Sequence, residues 1–241
     1  MSIIEKKVLE EIQFYVTTKY ACGYISGQDA QSIVATPYKN INSKNFEGLI
    51  NEGFRRSGQY VYKPNCKSCN ACVPIRLLAS KFVASRSQKR AANYLDKLTI
   101  KILPLNFNEE HYELYVHYQN RRHQDTGKSE DEISDYNDFL IKSNVESKLV
   151  EFRLGNELKM VTIIDIVNDG ISAVYTFYDC SNRKLSLGTI SIMWLISFCK
   201  KQNLSFLYLG YWINESKKMK YKTNFKPYEL LLEGIWQEAS S

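Results

Sequence analysis

The sequence lacks any uninterrupted apolar run close to the roughly 20 residues that a membrane-spanning helix needs. It also lacks low-complexity segments and internal repeats. Residues 1–7 carry charges of both signs, and no apolar signal-peptide core follows them. We therefore expect a cytoplasmic protein that does not enter a membrane.

Several catalytic signatures are missing as well. The chain has no Walker phosphate-binding loop, no dinucleotide-binding glycine fingerprint and no Ser-His-Asp order. Its histidines are few, and His111 and His117 are not spaced as metal ligands on one helix face. The absence of an ATP-binding motif argues against kinase or ligase chemistry.

The composition of the 241 residues, 44% hydrophobic and 24% charged, fits a globular protein with a real core. The order of the predicted elements indicates an α+β fold with a mostly antiparallel sheet. Turn residues at Asn156 and at 168–170 separate three predicted strands in the second half. Those strands are expected at 149–154, 158–166 and 172–178.

Basic residues are clustered, which says more than the net charge of +6. Arg86, Lys89 and Arg90 share one face of a predicted helix. Five lysines lie between 217 and 226, just after Tyr211 and Trp212. Cations next to aromatic rings suit a nucleic-acid backbone and unstacked bases. An ordinary solvated basic face, or an aromatic core edge, is the alternative.

The stretch from Ser186 to Gly188 opens a predicted helix at 189–202. A helix start presents free N–H groups and a partial positive charge, so it can hold an anion such as a phosphate. A simple capped helix would have the same sequence.

Cys66, Cys69 and Cys72 stand at two-residue spacing, and Cys22 is the nearest fourth thiol. Thiolates at this spacing can converge on a zinc ion or an iron–sulfur cluster. A metal-free cysteine-rich hairpin or a redox-sensitive thiol pair is equally compatible with the pattern. Structural disulfides are not expected in a cytoplasmic protein, and Cys180 and Cys199 are interpreted as structural.

Taken together, these blocks resemble a known family. They are Cys-Gly-Tyr (22–24), Gly-Phe-Arg-Arg-Ser-Gly (53–58), the stretch from Tyr62 through the three cysteines to Arg76, Ser-Arg-Ser-Gln-Lys-Arg (85–90), Ile-Asp-Ile (164–166), residues 172–179, Ser-Leu-Gly-Thr (186–189), residues 207–213 and Lys-Met-Lys-Tyr-Lys (218–222). In this order they are similar to the bacterial aspartate/glutamate leucyltransferases, relatives of the eukaryotic arginyl-tRNA–protein transferases. The match covers roughly residues 12–236.

The resemblance implies a smaller N-terminal domain with the cysteine motif, residues 1–104, and an acetyltransferase-like (GNAT) C-terminal domain, residues 105–241. It implies transfer of leucine from Leu-tRNA to proteins that begin with Asp or Glu, which marks them for N-degron degradation. Ile25 stands where the eukaryotic enzymes typically have a second cysteine, which favours the bacterial branch and weakens any inherited metal role.

The residue types in these blocks also suggest which side chains contact the substrates. Those expected to contact tRNA are Arg86, Lys89, Arg90, Ser186, Gly188, Tyr211, Trp212, Lys218, Lys220 and Lys222. Those expected to read the acceptor carboxylate are Arg55, Arg56 and Arg76, because a guanidinium binds a carboxylate through two hydrogen bonds. The same arginines can instead hold tRNA phosphates.

The aminoacyl ester is already activated, so the transfer requires no cofactor. The acceptor amine must lose a proton, and a developing oxyanion must be stabilised. Asp165, Tyr175, Tyr178 and Asp179 are the candidates for proton handling and amine positioning. Asp165 can equally be a buried hydrogen-bond anchor.

Three other functions are compatible with the sequence. The donor can be arginyl-tRNA, in which case the pocket needs acidic groups. A CoA-dependent acetyltransferase would have more glycine before the helix than 185–188 offers. A metal-stabilised module would bind tRNA without transferring anything.

Overall fold

The computed structural model describes residues 12–122, 133–181 and 185–239. A large sheet runs through the second half of the chain and takes in strands from the first. Its strands, in spatial order, are β14 (Ile235–Glu238), β13 (Tyr228–Leu232), β7 (Val73–Leu78), β12 (Phe206–Trp212), β11 (Gly170–Tyr178), β10 (Glu157–Val167), β9 (Ser147–Leu154) and β8 (Thr99–Pro104).

A smaller sheet belongs to the N-terminal part. Its strands, in spatial order, are β1 (Gln13–Val16), β4 (Ser32–Thr36), β6 (Tyr60–Pro64) and β5 (Arg55–Ser57). A short hairpin is formed by β2 (Tyr20–Ala21) and β3 (Asp29–Ala30).

The described helices begin and end where local signals place them. They are α1 (Ser43–Asn51), α2 (Arg86–Ala92), α3 (Glu109–Arg122), α4 (Ile133–Tyr136, followed by a π turn at Asn137–Ile141) and α5 (Leu187–Lys201). Asn42 caps α1 by accepting from two backbone N–H groups. Gly53 follows the end of α1 with φ +85°, as expected for a left-handed helix stop. No helix in the described ranges is long and apolar enough to span a membrane.

All neighbouring strands of the large sheet pair antiparallel except β11 and β12, which are parallel. The predicted α+β class with a mostly antiparallel sheet is therefore confirmed. The predicted turn at 168–170 joins β10 to β11, and Val167 pairs with Gly170. A Cβ at Gly170 would overlap the backbone carbonyl of Phe206, so this glycine lets β12 approach β11.

Strands from both sides of the predicted domain boundary, 104/105, share the large sheet. β7 pairs with β12 and β13, and β8 pairs with β9. The polar and acidic stretch at 124–134, for which the sequence predicts an exposed loop, falls almost wholly outside the described residues.

The core lies on both faces of the large sheet. On one face α5 buries Ile190, Leu195 and Cys199 against the strands, and burial raises the pKa of the Cys199 thiol to about 12. This agrees with the structural interpretation of that thiol. On the other face Tyr115 of α3 and Tyr136 of α4 pack together. The two helical layers fix the strands that carry the site.

Candidate active site

The site begins with a gap between the two parallel strands. β11 and β12 pair only from Gly170 to Ser172 and from Phe206 to Tyr208, although both strands continue beyond those residues. β12 also changes register against β7 between Tyr208 and Tyr211. The backbone groups of β11 past Ser172 that face β12 can therefore meet side chains instead of a neighbouring strand.

Arg55 of β5 reaches into this gap. Its Nη2 donates to the carbonyls of Ala173 and Val174 at 3.4 and 3.2 Å. On the opposite strand, a Cβ at Gly210 would overlap the guanidinium, and Gly210 has φ +76°. A glycine at this position therefore satisfies two demands, the left-handed backbone and the close approach of Arg55.

Arg55 is the one predicted acceptor arginine that has no acidic partner among the described residues. Its guanidinium carbon lies 5.8 Å from the ring centroid of Tyr211. Within the described part of the chain, its Nε and Nη1 donate to no protein group. A half-buried cation thus keeps two donor groups available at the gap.

Tyr211 and Lys222 complete this end of the gap. The Tyr211 hydroxyl donates to the carbonyls of Gly53 and Tyr62, and its backbone carbonyl accepts from Nζ of Lys222 at 2.5 Å. Lys222 is buried, and desolvation together with nearby Arg55 lowers its pKa to about 7. The predicted phosphate contact by Lys222 is therefore wrong, because its amine is not at the surface.

A cavity of about 470 Å³ adjoins the other side of Tyr211. Its lining includes aromatic rings, among them Tyr24 and Tyr62, together with thiols and several Gln and Asn side chains. Asp29 is the acidic residue among those that line it, and it lies 3.5 Å from the ammonium of Lys19. The cavity therefore offers a wall of rings, Ile25 and sulfur, with little uncompensated negative charge.

The cysteines Cys22, Cys66, Cys69 and Cys72 all line this cavity as free thiols. Burial and the neighbouring thiols raise the pKa of Cys72 to about 11, so it is a neutral thiol at pH 7. Among the described residues, no three His, Cys, Asp or Glu side chains are arranged to hold a metal ion. The β2–β3 hairpin with Cys22 and the loop with the other three cysteines thus bring the four sulfurs to one cavity without forming a ligand set.

Arg56 and Asp165, predicted for the acceptor and for catalysis, form a buried ion pair. Nε and Nη2 of Arg56 lie 2.8–2.9 Å from the Asp165 carboxylate, and the side chains are 1% and 0% exposed. Ser147 donates to the same carboxylate at 2.6 Å. Neither charged group faces a surface from which a substrate can reach it. This is the hydrogen-bond anchor that the sequence left open for Asp165.

Arg76 is also enclosed. Its Nε donates to Glu229 at 2.6 Å, and its guanidinium carbon lies 3.6 Å and 4.3 Å from the ring centroids of Phe206 and Trp236. The positive charge of Arg76 is therefore paired within the protein, and the faces of its guanidinium pack against aromatic rings. Arg76 joins β7 to β13 and does not present its guanidinium to an acceptor.

Of the other predicted catalytic residues, Tyr175 and Tyr178 lie on β11 past its last pair with β12, and Asp179 directly follows the strand. Asp179 accepts from the backbone N–H of Ser181 and from Lys159. Burial opposes its ionisation, but these hydrogen bonds outweigh burial and lower its pKa to about 2. A carboxylate with so low a pKa is a poor proton acceptor near neutral pH.

The two tyrosines have different neighbours. Tyr175 packs against Tyr115 and Phe139 and donates to Gln119 at 3.4 Å. Tyr178 packs against Tyr118 and lies close to Gly188 at the start of α5. Tyr178 is therefore next to the helix start predicted to hold a phosphate, whereas Tyr175 lies over α3.

The two predicted basic runs meet in space. Buried Gln88 of α2 donates to the backbone carbonyl of Asn224, which ends the 3₁₀ helix Lys220–Asn224. Arg86, Lys89 and Arg90 are exposed on α2, and so are Lys217, Lys218, Lys220 and Lys226 on the neighbouring segment. We call these seven side chains the basic surface. Ser186 is exposed beside Gly188, and Trp212 is half-buried at the end of β12.

Sequence reasoning missed the cavity rings of Tyr24 and Tyr62 and the burial of Lys222. One signal for Lys222 was available. Met219, Lys222 and Phe225 recur every third residue, the repeat of a 3₁₀ helix with one side turned inward. The cavity has no such signal, because its walls come from distant segments.

Comparison with known proteins identifies related chains. The family model described as "Arginine-tRNA-protein transferase, N terminus" matches residues 20–90, and the model described as its C terminus matches residues 110–232. A protein of Methylobacillus flagellatus named "Aspartate/glutamate leucyltransferase" is 48% identical, over 98% of this chain and 96% of its own. A protein of Thiobacillus denitrificans with the same name is 47% identical, over 95% of each chain.

Two solved structures are similar at low identity. L-PGS from Bacillus licheniformis gives a TM-score of 0.49 at 13% identity, over 70% of this chain and 58% of its own. FemX gives a TM-score of 0.46 at 9% identity, over 89% of this chain and 83% of its own.

Proposed function

The chain belongs to the arginine-tRNA–protein transferase family, and on this premise we propose that it transfers leucine from Leu-tRNA to proteins that begin with Asp or Glu. Added leucine would mark these proteins for degradation in an N-degron pathway. The observation that carries the choice of donor and acceptor is the near full-length match to relatives with that name, at 48% and 47% identity.

The chemistry asks for little beyond positioning. The ester bond between leucine and the tRNA ribose is activated, so attack by a neutral amine forms the peptide bond without ATP. Holding the amine against the ester carbonyl supplies most of the acceleration in such reactions. The gap between β11 and β12 suits this task, because it offers free backbone groups and the Arg55 cation at one place.

We assign recognition of the acceptor's carboxylate to Arg55. Its Nε and Nη1 donate to no protein group among the described residues, so a charged donor is left for the acceptor's carboxylate. Arg56 and Arg76 are excluded from this role because Asp165 and Glu229 neutralise them. An uncompensated guanidinium at the gap therefore supports selection of acidic N-terminal residues.

We assign the leucyl side chain to the cavity beside Tyr211. Aromatic rings, Ile25 and thiols form much of its wall, and an apolar side chain gains about 25 cal/mol for each Å² that it buries. An arginyl donor would need an acidic wall. Asp29 is the acid in the described lining, and Lys19 compensates it.

The tRNA would lie on the basic surface. Its seven exposed cations come from two segments held together by Gln88, which fits a phosphate backbone better than either run alone. The start of α5 near Ser186 and Gly188 and the half-buried ring of Trp212 would meet the 3′ end.

The cysteine loop is a separate proposal. A zinc ion or an iron–sulfur cluster would need the four thiols in a ligand arrangement that they do not have in the structure, and no step of the transfer uses either. Metal analysis of the purified protein tests this, with Cys66→Ser as the variant and Cys180→Ser as the matched control. Stoichiometric metal that only Cys66→Ser loses supports the site, and protein without metal that still transfers leucine excludes it.

The experiment for the function is a transfer assay with labelled Leu-tRNA or Arg-tRNA and peptides that begin with Asp, Glu or Ala. We expect leucine to reach the Asp and Glu peptides and not the Ala peptide. Arginine transfer would keep the mechanism and replace the donor. Tight binding of tRNA with no transfer from either donor would leave an RNA-binding module as the function.

A further inference from the structure

One face of the small sheet leads from Arg55 to an open edge of the molecule. The strand register places Arg55 of β5 opposite Tyr62 of β6. Tyr62 lies opposite Val34 of β4, which in turn lies opposite Tyr15 of the edge strand β1. Directly opposed residues of a sheet lie on the same face, so this row connects the cation at the gap with an exposed edge.

The two ends of this face have different surroundings. At one end the β2–β3 hairpin covers it, and the hydroxyl of Tyr20 lies 2.6 Å from Oγ of Ser32. At the other end Tyr60 of β6 is 58% exposed, as is Tyr15. Tyr38 packs edge-on against Tyr60, with ring centroids 5.9 Å apart, and is itself exposed. The uncovered end therefore presents three large rings to solvent.

Apart from Arg55, the strand side chains on this face carry no charge. They are Gln13, Tyr15, Ser32, Val34, Thr36, Ser57, Tyr60, Tyr62 and Pro64. The charged residues close to the Tyr38 and Tyr60 rings are Lys142 and Asp138, which pair with each other at 2.5 Å. A phosphate backbone is attracted to uncompensated Lys and Arg. The aromatic end therefore suits a neutral ligand better than it suits the tRNA, for which the basic surface provides the cations.

The transfer reaction requires a surface for the rest of the acceptor. If Arg55 holds the first side chain, the residues that follow must leave the gap across the protein. The cavity at the covered end is assigned to the leucyl group, so the open end remains for the acceptor. Four strands spaced about 4.8 Å apart span about 14 Å, which about four residues of an extended chain cover.

We propose that Tyr60, Tyr38 and Tyr15 bind the acceptor polypeptide beyond its first residue, as an extended and uncharged stretch. This inference rests on the proposed function and adds a second determinant of acceptor choice. Tyrosine suits a surface that must accept many sequences, because its ring contacts apolar groups and its hydroxyl forms hydrogen bonds with a peptide backbone. Acceptors with apolar residues after the first position should therefore be preferred to acceptors with charged ones.

The test compares kcat/KM for three Asp-starting peptides in the wild type, in Tyr60→Ser and in Tyr15→Ser. One peptide has two residues, Asp-Ala. The other two have six residues, with Leu-Phe or Glu-Glu at the fourth and fifth positions and Ala elsewhere after Asp. Ile102→Ala is the matched control, because Ile102 is an exposed apolar residue on β8, at an edge of the large sheet. Thermal unfolding and Leu-tRNA binding check that the variants are folded and bind the donor.

In the wild type we expect the Leu-Phe peptide to exceed the two-residue peptide by about 10-fold, the value of one well-buried aromatic contact in an interface. The Glu-Glu peptide should gain little. Tyr60→Ser should remove most of the gain of the Leu-Phe peptide, and Tyr15→Ser, at the end of the row, should remove less. Transfer to the two-residue peptide should stay close to the wild-type rate in both variants, because this peptide does not reach the rings.

An equal loss on short and long peptides in Tyr60→Ser, or a wild-type rate that does not depend on peptide length, would overturn the assignment. Weaker Leu-tRNA binding in Tyr60→Ser would assign the rings to the tRNA instead. A wild-type dimer in sedimentation that Tyr60→Ser dissociates would assign them to a second copy of the chain. Absence of transfer to every peptide in the wild type would overturn the proposed function itself, so the two failures are distinguishable.

Discussion

Arg55 and Arg56 are adjacent on β5, yet the two faces of that strand meet opposite surroundings. Arg56 points to a closed region, where Asp165, Gly58 and Lys142 take up its donors. Arg55 points to the gap, where its hydrogen bonds within the described part of the chain go only to backbone carbonyls. Consecutive strand residues face opposite sides, so one residue step separates a structural cation from one that is available to a substrate.

The closed region should control stability. Arg56→Met leaves the Asp165 carboxylate buried without its cation, which costs about 3–5 kcal/mol. Native domains have about 5–15 kcal/mol in total, so urea unfolding should show a large loss. The exposed-site variant Lys101→Met is the control. If the unfolding free energy of Arg56→Met is close to that of the wild type, Arg56 does not have the structural role that distinguishes it from Arg55.

The open region should control activity. Arg55→Ala should change the unfolding free energy by about 1 kcal/mol or less, because its hydrogen bonds go to carbonyls beside a gap. Transfer to an Asp-starting peptide should fall about 10- to 100-fold, the value of a hydrogen bond to a charged group. If Arg55→Ala unfolds as readily as Arg56→Met, both arginines are structural.

The sequence predicts those features that depend on contacts between residues close together in the chain. The turn predicted at 168–170 is confirmed, and the cap at Asn42 and the helix stop at Gly53 have the same local origin. These features depend on neighbours within a few residues. The shared run Gly-Phe-Arg-Arg-Ser-Gly likewise marked both arginines as important.

The sequence could not separate the two arginines, because their partners are more than 100 residues away. Asp165 is 109 residues from Arg56, and the carbonyl of Ala173 is 118 residues from Arg55. The gap itself depends on where a parallel pair stops, and periodicity within a strand does not record that. The residue type predicted that an arginine binds the carboxylate, whereas contacts between distant segments determine which of the two arginines is available to do so.

Asp179, which directly follows β11, provides a test in which the expected change in stability is smaller. Its pKa of about 2 is below that of a free carboxyl, so its ionised form stabilises the fold above about pH 4, and this contribution is lost as pH falls towards 2. Asp179→Asn should therefore lose about 1–2 kcal/mol at pH 6 and much less at pH 2.5. Urea unfolding at the two pH values measures it.

The same variant also tests catalysis. Transfer should follow the amount of folded Asp179→Asn protein, because Lys159 and Ser181 already occupy the carboxylate. A loss far beyond the loss of folded protein would return to Asp179 the catalytic role that its residue type suggested.

The basic surface should give the smallest effect for each residue. Replacing Arg86, Lys89 or Arg90 by Gln should weaken tRNA binding several-fold, because each cation neutralises part of the phosphate backbone. The salt slope of log K should fall by about 0.7–0.9 for each phosphate that the variant no longer neutralises. Filter binding between 50 and 200 mM salt would show this. An unchanged slope in all three variants would place the tRNA elsewhere.

The most direct measurement compares leucine transfer to two peptides that differ only in Asp or Asn at the first residue, in the wild type and in Arg55→Ala. Asn keeps the shape of Asp and removes the charge. We predict a strong wild-type preference for Asp that falls to nearly equal rates in Arg55→Ala, through loss on the Asp peptide. An Asp preference that survives in Arg55→Ala would contradict the assignment of the acceptor carboxylate to the open face of β5.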